Sequence, residues 1–406
     1  MSQPLPTSPV EGAPALENPP GSLLLILAAM VSLGPLAIDM YLPAMPGLVD
    51  ALSTSTREVQ LTISSFLLGF SLFHLFCGPL ADRYGRRPVI LGGLTVFVLA
   101  SVACATATSI EALIGYRFLQ GIGACVGPTL GRTVARDRYG PTGAARALSY
   151  IAMIMALAPA VAPTLGGLML TVLPWPSVFL ALAVYAGVVT VVVALRLTES
   201  LPERQALHPL HVLGNYRLLL RDSRYRRTAA ASALLYAGMV AFLSGSSFVF
   251  IEMMGVPLEY FGALFITTVA GYVSGSAASA RLTRKYSSET IMLLGARLAV
   301  VAATAMVASP MLWFHPASIV LPMALFAMAL GLVLPHAMAT ALREFPQMAG
   351  TASALFGFIQ MGLSAFTGVL VGTWLHSTPL PMTLTILGCA LVSWWLIERL
   401  DRTDMS

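Results

Sequence analysis

Long apolar stretches are the feature of this sequence that most restricts its fold. A transmembrane helix needs about 20 mostly apolar residues. Twelve such stretches lie at 22–49, 57–79, 88–108, 110–133, 144–170, 174–196, 228–252, 257–280, 289–309, 315–340, 348–374 and 378–398. Membrane β-barrels show alternating segments of about 10 residues instead. We therefore predict an all-α membrane protein with twelve transmembrane helices.

Composition agrees with a chain that is embedded in lipid. Charged residues make up 10% of the chain, whereas soluble proteins carry about 25%. The formal net charge of +5 is ordinary for such a protein, so we do not expect nucleic-acid binding. The sequence has no Walker loop, no metal-ligand spacing of Cys and His, and no dinucleotide fingerprint. We therefore expect no enzyme, no cofactor and no metal site.

The positions of the basic residues predict the orientation. Of the 23 Lys and Arg residues, 20 lie in the C-terminal tail or in, or within three residues of, the loops after even-numbered stretches. Arg57 borders an odd-numbered loop, and Arg117 and Arg297 fall well inside stretches. Because loops rich in Lys and Arg stay in the cytoplasm, we predict a multi-pass protein of the bacterial inner membrane with both termini cytoplasmic.

The chain divides near its middle. We predict a disordered tail at 1–21, a six-helix bundle at 22–196, a basic cytoplasmic linker at 197–227, a second six-helix bundle at 228–398 and a tail at 399–406. The loops "GPLADRYGRRP" and "ASARLTRKYS" occupy corresponding places in the two halves. Duplicated halves of this kind are typical of transporters that bind their substrate between the repeats, near the middle of the bilayer.

Two charged residues lie deep inside apolar stretches. A charge at the bilayer centre costs about 2.5 to 3.5 kcal/mol on insertion scales, so Asp39 and Arg117 should each face a partner or a wet cavity and mark a functional site. His74 and His336 also lie within stretches. A lone histidine is more often a packing residue than a proton carrier, and the sequence leaves their part in proton transfer open.

Three motifs carry a resemblance to a known family. They read "GPLADRYGRRP" (78–88), "RFLQGIGACVGPTLGRTVARD" (117–137) and "APAVAPTLGG" (158–167). In this order they resemble the loop, fourth-span and fifth-span motifs of the major facilitator superfamily. With "DMYLP" in the first span, the set is similar to drug/proton antiporters of the Bcr/CflA type. The resemblance implies two pseudo-symmetric six-helix bundles.

The loop motif is expected to form a conformational latch. The resemblance implies that Asp82 meets a helix N-terminus of the opposite half and that an arginine of the loop pairs with Asp137. The latch comprises Gly78, Asp82, Arg83, Gly85, Arg86, Arg87 and Asp137. The alternative is that these arginines only follow the rule that positive loops stay inside.

The fifth-span motif predicts a bent and closely packed helix, because proline removes a backbone donor and glycine admits a neighbouring backbone. The motif residues are Pro159, Pro163, Gly166 and Gly167. The family has glycine where this chain has Ala162. The resemblance implies that this helix helps to seal the cavity, and a plain proline kink is the alternative.

Proton coupling is assigned by the resemblance to Asp39, Arg117 and Gln120. Arg117 and Gln120 are expected to approach Asp39 in the first span. Our hypothesis is that Asp39 takes up a proton from outside and releases it inside when a neutral or cationic drug arrives. The alternative is a permanent salt bridge between Asp39 and Arg117 that only fixes packing.

Substrate contacts are expected from aromatic, sulfur-containing and polar residues inside the spans. The candidates are Asp39, Ile151, Met155, Tyr236, Phe356 and Gln360. Ordinary helix packing is the alternative for each apolar one. We expect a monomer whose partners are the lipid bilayer, protons and a drug resembling bicyclomycin, a phenicol or a sulfonamide. The alternative is a proton-coupled exporter or importer of a metabolite.

Overall fold

The computed structural model describes residues 21–201, 209–374 and 378–403, so residues 1–20 of the tail predicted at 1–21 lie outside the described residues. Within these ranges every regular element is a helix. The helices are α1 (Gly21–Asp39), α2 (Met45–Ala51), α3 (Thr56–Tyr84), α4 (Arg86–Ala105), α5 (Ile110–Ala124), α6 (Val126–Leu170), α7 (Pro176–Arg196), α8 (Pro209–Arg221), α9 (Ser223–Ser247), α10 (Leu258–Phe261), α11 (Ala263–Leu282), α12 (Ser288–Leu312), α13 (Pro316–Arg343), α14 (Ala349–Trp374) and α15 (Leu380–Thr403).

Eleven helical segments among the described residues are long and apolar enough to cross a membrane. The remaining predicted crossing, at 110–133, is shared between α5 and the start of α6. Neither part qualifies alone, because α5 has 15 residues and the start of α6 carries several arginines. The predicted all-helical fold is confirmed, with its fourth crossing built from two helices.

Helix α6 continues from the fourth crossing into the fifth without an intervening loop. The break lies at Gly140, whose φ of 63° and ψ of −178° are not helical. A positive φ is readily adopted by glycine, so this residue lets the chain reverse direction. The described backbone of α6 leaves helical φ and ψ at Gly140, and the bend expected at Pro159 and Pro163 stays a prediction.

Short polar side chains determine where several helices begin. Ser55 and Glu58 form a reciprocal capping box at the start of α3. Asp222 accepts a hydrogen bond from the Tyr225 N–H at 2.6 Å and caps α9. This cap makes α9 begin at Ser223, five residues before the predicted start of the second bundle at 228. Another 13 linker residues form α8, because their amphipathic pattern suits a surface helix.

Glycine allows the second and fourth crossings of each half to pack backbone against backbone. A Cβ at Gly69 of α3 would collide with the Phe118 carbonyl, and one at Gly121 of α5 with the Phe66 carbonyl. In the second half, Gly271 and Gly275 of α11 meet carbonyls of α13 in the same way. Small residues permit such close approach in membranes. The two halves thus repeat one packing scheme.

The two halves meet along α3 and α14, which contact each other over most of their length. Gly357 of α14 lies against the His74 ring, and Gly368 lies against the Ser64 hydroxyl. We call the end of the molecule where α3, α7 and α13 finish and α4, α9 and α14 begin the basic face. The other end is the opposite face. The contacts between the two halves at each of these faces determine which side of the molecule is open.

Candidate functional site

Asp39 is the last residue of α1 and is only 3% exposed. It lies at the junction of the two halves, within electrostatic reach of Tyr236 on α9. Its carboxylate forms neither a hydrogen bond nor an ion pair with any residue that the structure describes. A buried carboxylate without such partners is costly. The site therefore leaves Asp39 free to take a proton or a ligand group.

Arg117 is fully buried in a cage of aromatic rings. Its guanidinium carbon lies 4.5 Å from the ring centre of Phe66, 4.8 Å from that of Tyr41 and 5.8 Å from that of Phe179. A guanidinium over an aromatic face is attracted by the ring electrons. These rings come from α3, from α7 and from the turn after α1, and they replace much of the water that would otherwise surround the charge.

The hydrogen bonds of Arg117 connect it to the end of α1. Its Nη1 donates to the Ala37 carbonyl at 3.0 Å and to Gln120 Oε1 at 2.6 Å. Gln120 Nε2 donates in turn to the Ser101 hydroxyl at 2.8 Å. Arg117 Nε and Nη2 are buried without a hydrogen-bond partner among the described residues. Arg117 thus positions the backbone two residues before Asp39.

The structure brings Arg117 and Gln120 close to the end of α1, as the resemblance implied. The alternative of a salt bridge between Arg117 and Asp39 is not realised, since the described residues contain no such ion pair. The guanidinium instead bonds a carbonyl of α1. Sequence spacing alone could not separate these arrangements, because both place Arg117 near the same turn of α1.

The predicted substrate contacts fall into two groups. Tyr236 lies within electrostatic range of Asp39, and Tyr272 of α11 lies within electrostatic range of Tyr236. Ile151 and Phe356 are buried in the hydrophobic core. Sequence reasoning missed Tyr272, because a tyrosine inside an apolar stretch gives no signal of which face it occupies.

The two remaining candidates, Met155 and Gln360, are both partly buried. Met155 packs against the hydrophobic core, and the Gln360 carbonyl accepts a hydrogen bond from the Ser364 hydroxyl at 2.7 Å. These contacts are those of ordinary helix packing. The assignment of both residues to the substrate site stays a prediction.

The predicted latch residues gather on the basic face around Arg86. Arg86 Nη1 lies 2.5 Å from Asp82 Oδ1, and its Nε lies 3.5 Å from Asp137 Oδ2. Arg83 stacks on the Tyr84 ring, and Arg87 Nη2 donates to the Ala194 carbonyl at 2.7 Å. The pairing of a loop arginine with Asp137 is therefore present.

The expected partner of Asp82 in the second half is not in contact with it here. Asp82 and Gly78 line one wall of a cavity, and the first residues of α14, including Ala349 and Gly350, line the same cavity. Asp82 instead accepts a hydrogen bond from the Arg86 guanidinium. The role of this loop as a latch stays a prediction.

Glu199, just after α7, is a functional candidate that sequence reasoning missed. Its carboxylate accepts the N–H groups of Arg86 at 2.9 Å and Arg87 at 3.1 Å. These are N–H groups of the first turn of α4, where a negative charge is favourable. Gly85 makes room, since its φ is 103° and a Cβ there would lie 2.5 Å from Glu199 Oε2. Glu199 lies far from the loop in sequence, so no local pattern pointed to it.

The acid–base behaviour of Glu199 follows from these contacts. Burial acts to raise the pKa of Glu199, but hydrogen bonds from the backbone of Leu201, Arg86, Arg87 and Ser200 outweigh it and lower the pKa below its ordinary value of 4.5. A carboxyl group whose pKa is lowered by folding stabilises the folded chain at pH values above its unfolded-state pKa. That stabilisation is lost as the pH falls through the folded-state value.

We therefore expect the Glu199→Gln protein to melt at a lower temperature than the wild type at pH 7. The difference should shrink as the pH falls below about 4.5, because protonation removes the same charge from the wild type. Thermal unfolding of the purified protein between pH 7 and pH 3.5 measures this, with the exposed Glu111→Gln as a control. A difference that does not change with pH would contradict the assignment.

The fifth-span motif packs as closely as predicted. A Cβ at Gly166 would collide with the Met40 carbonyl, next to Asp39, and one at Gly167 with the Leu258 carbonyl of α10. Gly262 meets the Thr164 backbone in the same region. Ala162 is fully buried, so its extra methyl group is accommodated. The contacts of Gly167 and Gly262 join α6 to the second half at the opposite face.

The opposite face is closed and the basic face is open. Besides the α6 contacts, the Ser244 hydroxyl lies 3.4 Å from Gln60 Oε1 and the Ser247 hydroxyl lies 3.8 Å from Met45 Sδ. Both pairs join the two halves. At the basic face a cavity of about 690 Å³ separates the halves. The molecule therefore offers an entry route on the basic face.

The two buried histidines have different surroundings. His336 has both ring nitrogens close to hydroxyls, with Nε2 2.9 Å from Ser279 Oγ and Nδ1 3.1 Å from Ser288 Oγ. This is a satisfied packing residue. His74 borders the cavity, and its Nδ1 lies 3.6 Å from Cys125 Sγ. No group of metal-ligating side chains was found among the described residues.

Comparison with known proteins decides the family. The model of the Major Facilitator Superfamily matches residues 27–369. This chain belongs to that superfamily. It is 31% identical over 382 residues to multidrug resistance protein D of Escherichia coli strain K12, covering 92% of this chain and 95% of the relative.

A second relative supports this family, and a solved structure supports the fold. The bicyclomycin resistance protein homolog of Haemophilus influenzae is 28% identical over 375 residues, covering 91% of this chain and 94% of the relative. The crystal structure of a D-xylose-proton symporter matches with a TM-score of 0.74 at 14% identity, covering 92% of this chain and 97% of the other. The resemblance inferred from the motifs is confirmed, and the chain is a multi-pass membrane transporter.

Proposed function

We propose that this chain exports amphipathic small molecules from the cytoplasm in exchange for protons, as a monomer with its basic face in the cytoplasm. The names of its relatives, which include multidrug and bicyclomycin resistance proteins, support a drug as the substrate. The cavity at the basic face and the closed opposite face support entry from the cytoplasm.

The observation that carries this proposal is the buried and unpaired carboxyl group of Asp39. It lies where α1 meets the second half, beside Tyr236, and is 3% exposed. A carboxylate in this position has to be compensated, either by a proton or by a donor group of the substrate. Because the proton and the substrate both need the Asp39 carboxyl group, only one of them can occupy it at a time.

Mutually exclusive occupancy supports obligatory exchange. A ligand shifts a conformational equilibrium only to the extent that it binds one conformation better than the other. Either the proton or the substrate compensates the charge of Asp39. When neither is bound, Asp39 carries an uncompensated charge, which disfavours the intermediate in which both faces are closed. Transport of one ligand then requires transport of the other in the opposite direction.

The test is uphill transport in proteoliposomes that contain the purified full-length chain. An imposed pH gradient should drive a phenicol against its own gradient, with protons and drug moving in opposite directions. Flux that ignores the pH gradient would point to a channel, and movement with the protons would point to an importer. A resistance panel of bicyclomycin, a phenicol and a sulfonamide in an efflux-deficient host would identify the substrate or favour a metabolite.

A further inference from the structure

The cavity at the basic face has a charge pattern that the proposed function does not use. We call this cavity the vestibule. Its lining includes five charged side chains, all from the first half. They are Asp82, Arg86, Arg132, Arg136 and Asp137. Which charges remain uncompensated decides what kind of molecule can enter.

Both acids of the vestibule are already compensated. Asp82 Oδ1 lies 2.5 Å from Arg86 Nη1, and Asp137 Oδ2 lies 3.5 Å from Arg86 Nε. Asp137 also accepts a hydrogen bond from the Ser200 hydroxyl at 3.3 Å. These two carboxylates and Arg86 form one connected group. Among the described residues, neither acid forms an ion pair with Arg132 or Arg136.

Arg132 and Arg136 are the uncompensated charges. They lie four residues apart on α6, so both project from the same face of the helix. Arg132 Nε donates to the Pro128 carbonyl at 2.7 Å, and both arginines line the vestibule. Neither arginine has a carboxylate within ion-pair distance in the part of the chain that is described. Their mutual repulsion makes a shared anion favourable.

The facing wall adds positive potential. It is formed by the end of α13 and by residues 347–354 at the start of α14, and it contributes no acid to the lining. The N-terminus of a helix carries a partial positive charge and favours anions. The vestibule is therefore positive on two sides and large enough, at about 690 Å³, for a drug-sized molecule.

We propose that the vestibule binds organic anions, and the electron-rich end of neutral compounds, through Arg132 and Arg136, and that it discriminates against cations. This inference rests on the proposed function, whose substrate class it narrows. Export of a monovalent anion in exchange for a proton moves two charges in the direction that a negative interior favours. Export of a monovalent cation in exchange for one proton would move no net charge and would gain nothing from this potential.

Equilibrium binding of two xanthene dyes of opposite charge tests the proposal. Fluorescein is anionic and rhodamine 123 is cationic on a similar ring system. We would measure the fluorescence anisotropy of each dye with the full-length protein in nanodiscs of zwitterionic lipid. Fluorescein should bind at least about tenfold more tightly than rhodamine 123 at low salt, and its affinity should fall as salt screens the arginines.

Variants assign the effect to the two arginines. The Arg132→Gln/Arg136→Gln protein should lose about tenfold in fluorescein affinity and gain affinity for rhodamine 123. Arg132→Lys/Arg136→Lys keeps both positive charges, so this protein should still bind fluorescein more tightly than rhodamine 123. It also shows whether the fold tolerates substitution at these two positions. Arg146→Gln, an exposed arginine of α6 outside the lining, is the matched control and should leave both affinities unchanged.

Two results would overturn the proposal. One is rhodamine 123 binding to the wild type as tightly as fluorescein. The other is an equal change for both dyes in the glutamine variant, which would indicate altered folding or packing rather than charge selection. Binding needs no pH gradient, so it stands or fails separately from proton-driven transport in proteoliposomes.

Discussion

The Asp39→Asn protein should release no protons when drug is added, whereas the wild type should release them in a buffer of low capacity. Asparagine keeps the size of the side chain and its ability to accept a hydrogen bond, but it does not titrate. We expect drug binding to persist and uphill, proton-driven transport to be lost. Proton release is measured with a pH indicator in detergent solution, and transport is measured in proteoliposomes.

A matched control for this substitution lies at the end of the same crossing that belongs to the opposite face. Asp50 is exposed, so Asp50→Asn removes an equal charge from solvent and should leave proton release unchanged. Normal proton release by Asp39→Asn would defeat the assignment of Asp39 as the coupling group. If the Asp39→Asn protein lost both drug binding and proton release, Asp39 would instead be assigned only as a substrate contact.

The Gly167→Ala protein should favour the conformation that is open at the opposite face and should transport at least about tenfold more slowly than the wild type. A Cβ at this position would collide with the Leu258 carbonyl, and that contact joins the two halves. Backbone cannot move aside as a flexible side chain can, so closure of the opposite face becomes unfavourable. The fold within each half is not touched by this contact.

Spin labels at Val172 and Tyr260 report the opening directly. Both residues are exposed near the opposite face, one in each half. The distance between the labels should lengthen in Gly167→Ala and stay unchanged in Gly187→Ala, where an added Cβ meets nothing within 4 Å. Gly166→Ala distinguishes an effect on closure from an effect on folding. Its added Cβ would collide with Met40 inside the first half and not with the second half. An unchanged label distance in Gly167→Ala would exclude Gly167 as part of the seal.

Some features of the site could be predicted from single positions. An acid in an apolar stretch, as at Asp39, is informative because few environments in a membrane tolerate it. The loop arginine and Asp137 were paired correctly through the family resemblance. The apolar candidates Ile151 and Phe356 could not be resolved in this way, since apolar residues that pack and apolar residues that bind a drug have the same character.

Contacts between distant segments were beyond the reach of local patterns. Glu199 follows the sixth crossing, yet it binds the first turn of α4. Tyr272 joins Tyr236 from a different helix. The compensation of Asp82 and Asp137 by one arginine decides that Arg132 and Arg136 are the free charges of the vestibule. Each of these depends on how the helices are placed relative to one another.

The sequence by itself determined the medium, the number of crossings and the presence of a deep acid. These follow from hydrophobic length and from the cost of charge in lipid, which act on each segment independently. Only the tertiary structure decided that Arg117 binds a backbone carbonyl rather than Asp39, and that the basic face is the open one. Both depend on contacts between segments far apart in the chain, since packing joins surfaces that no local pattern specifies.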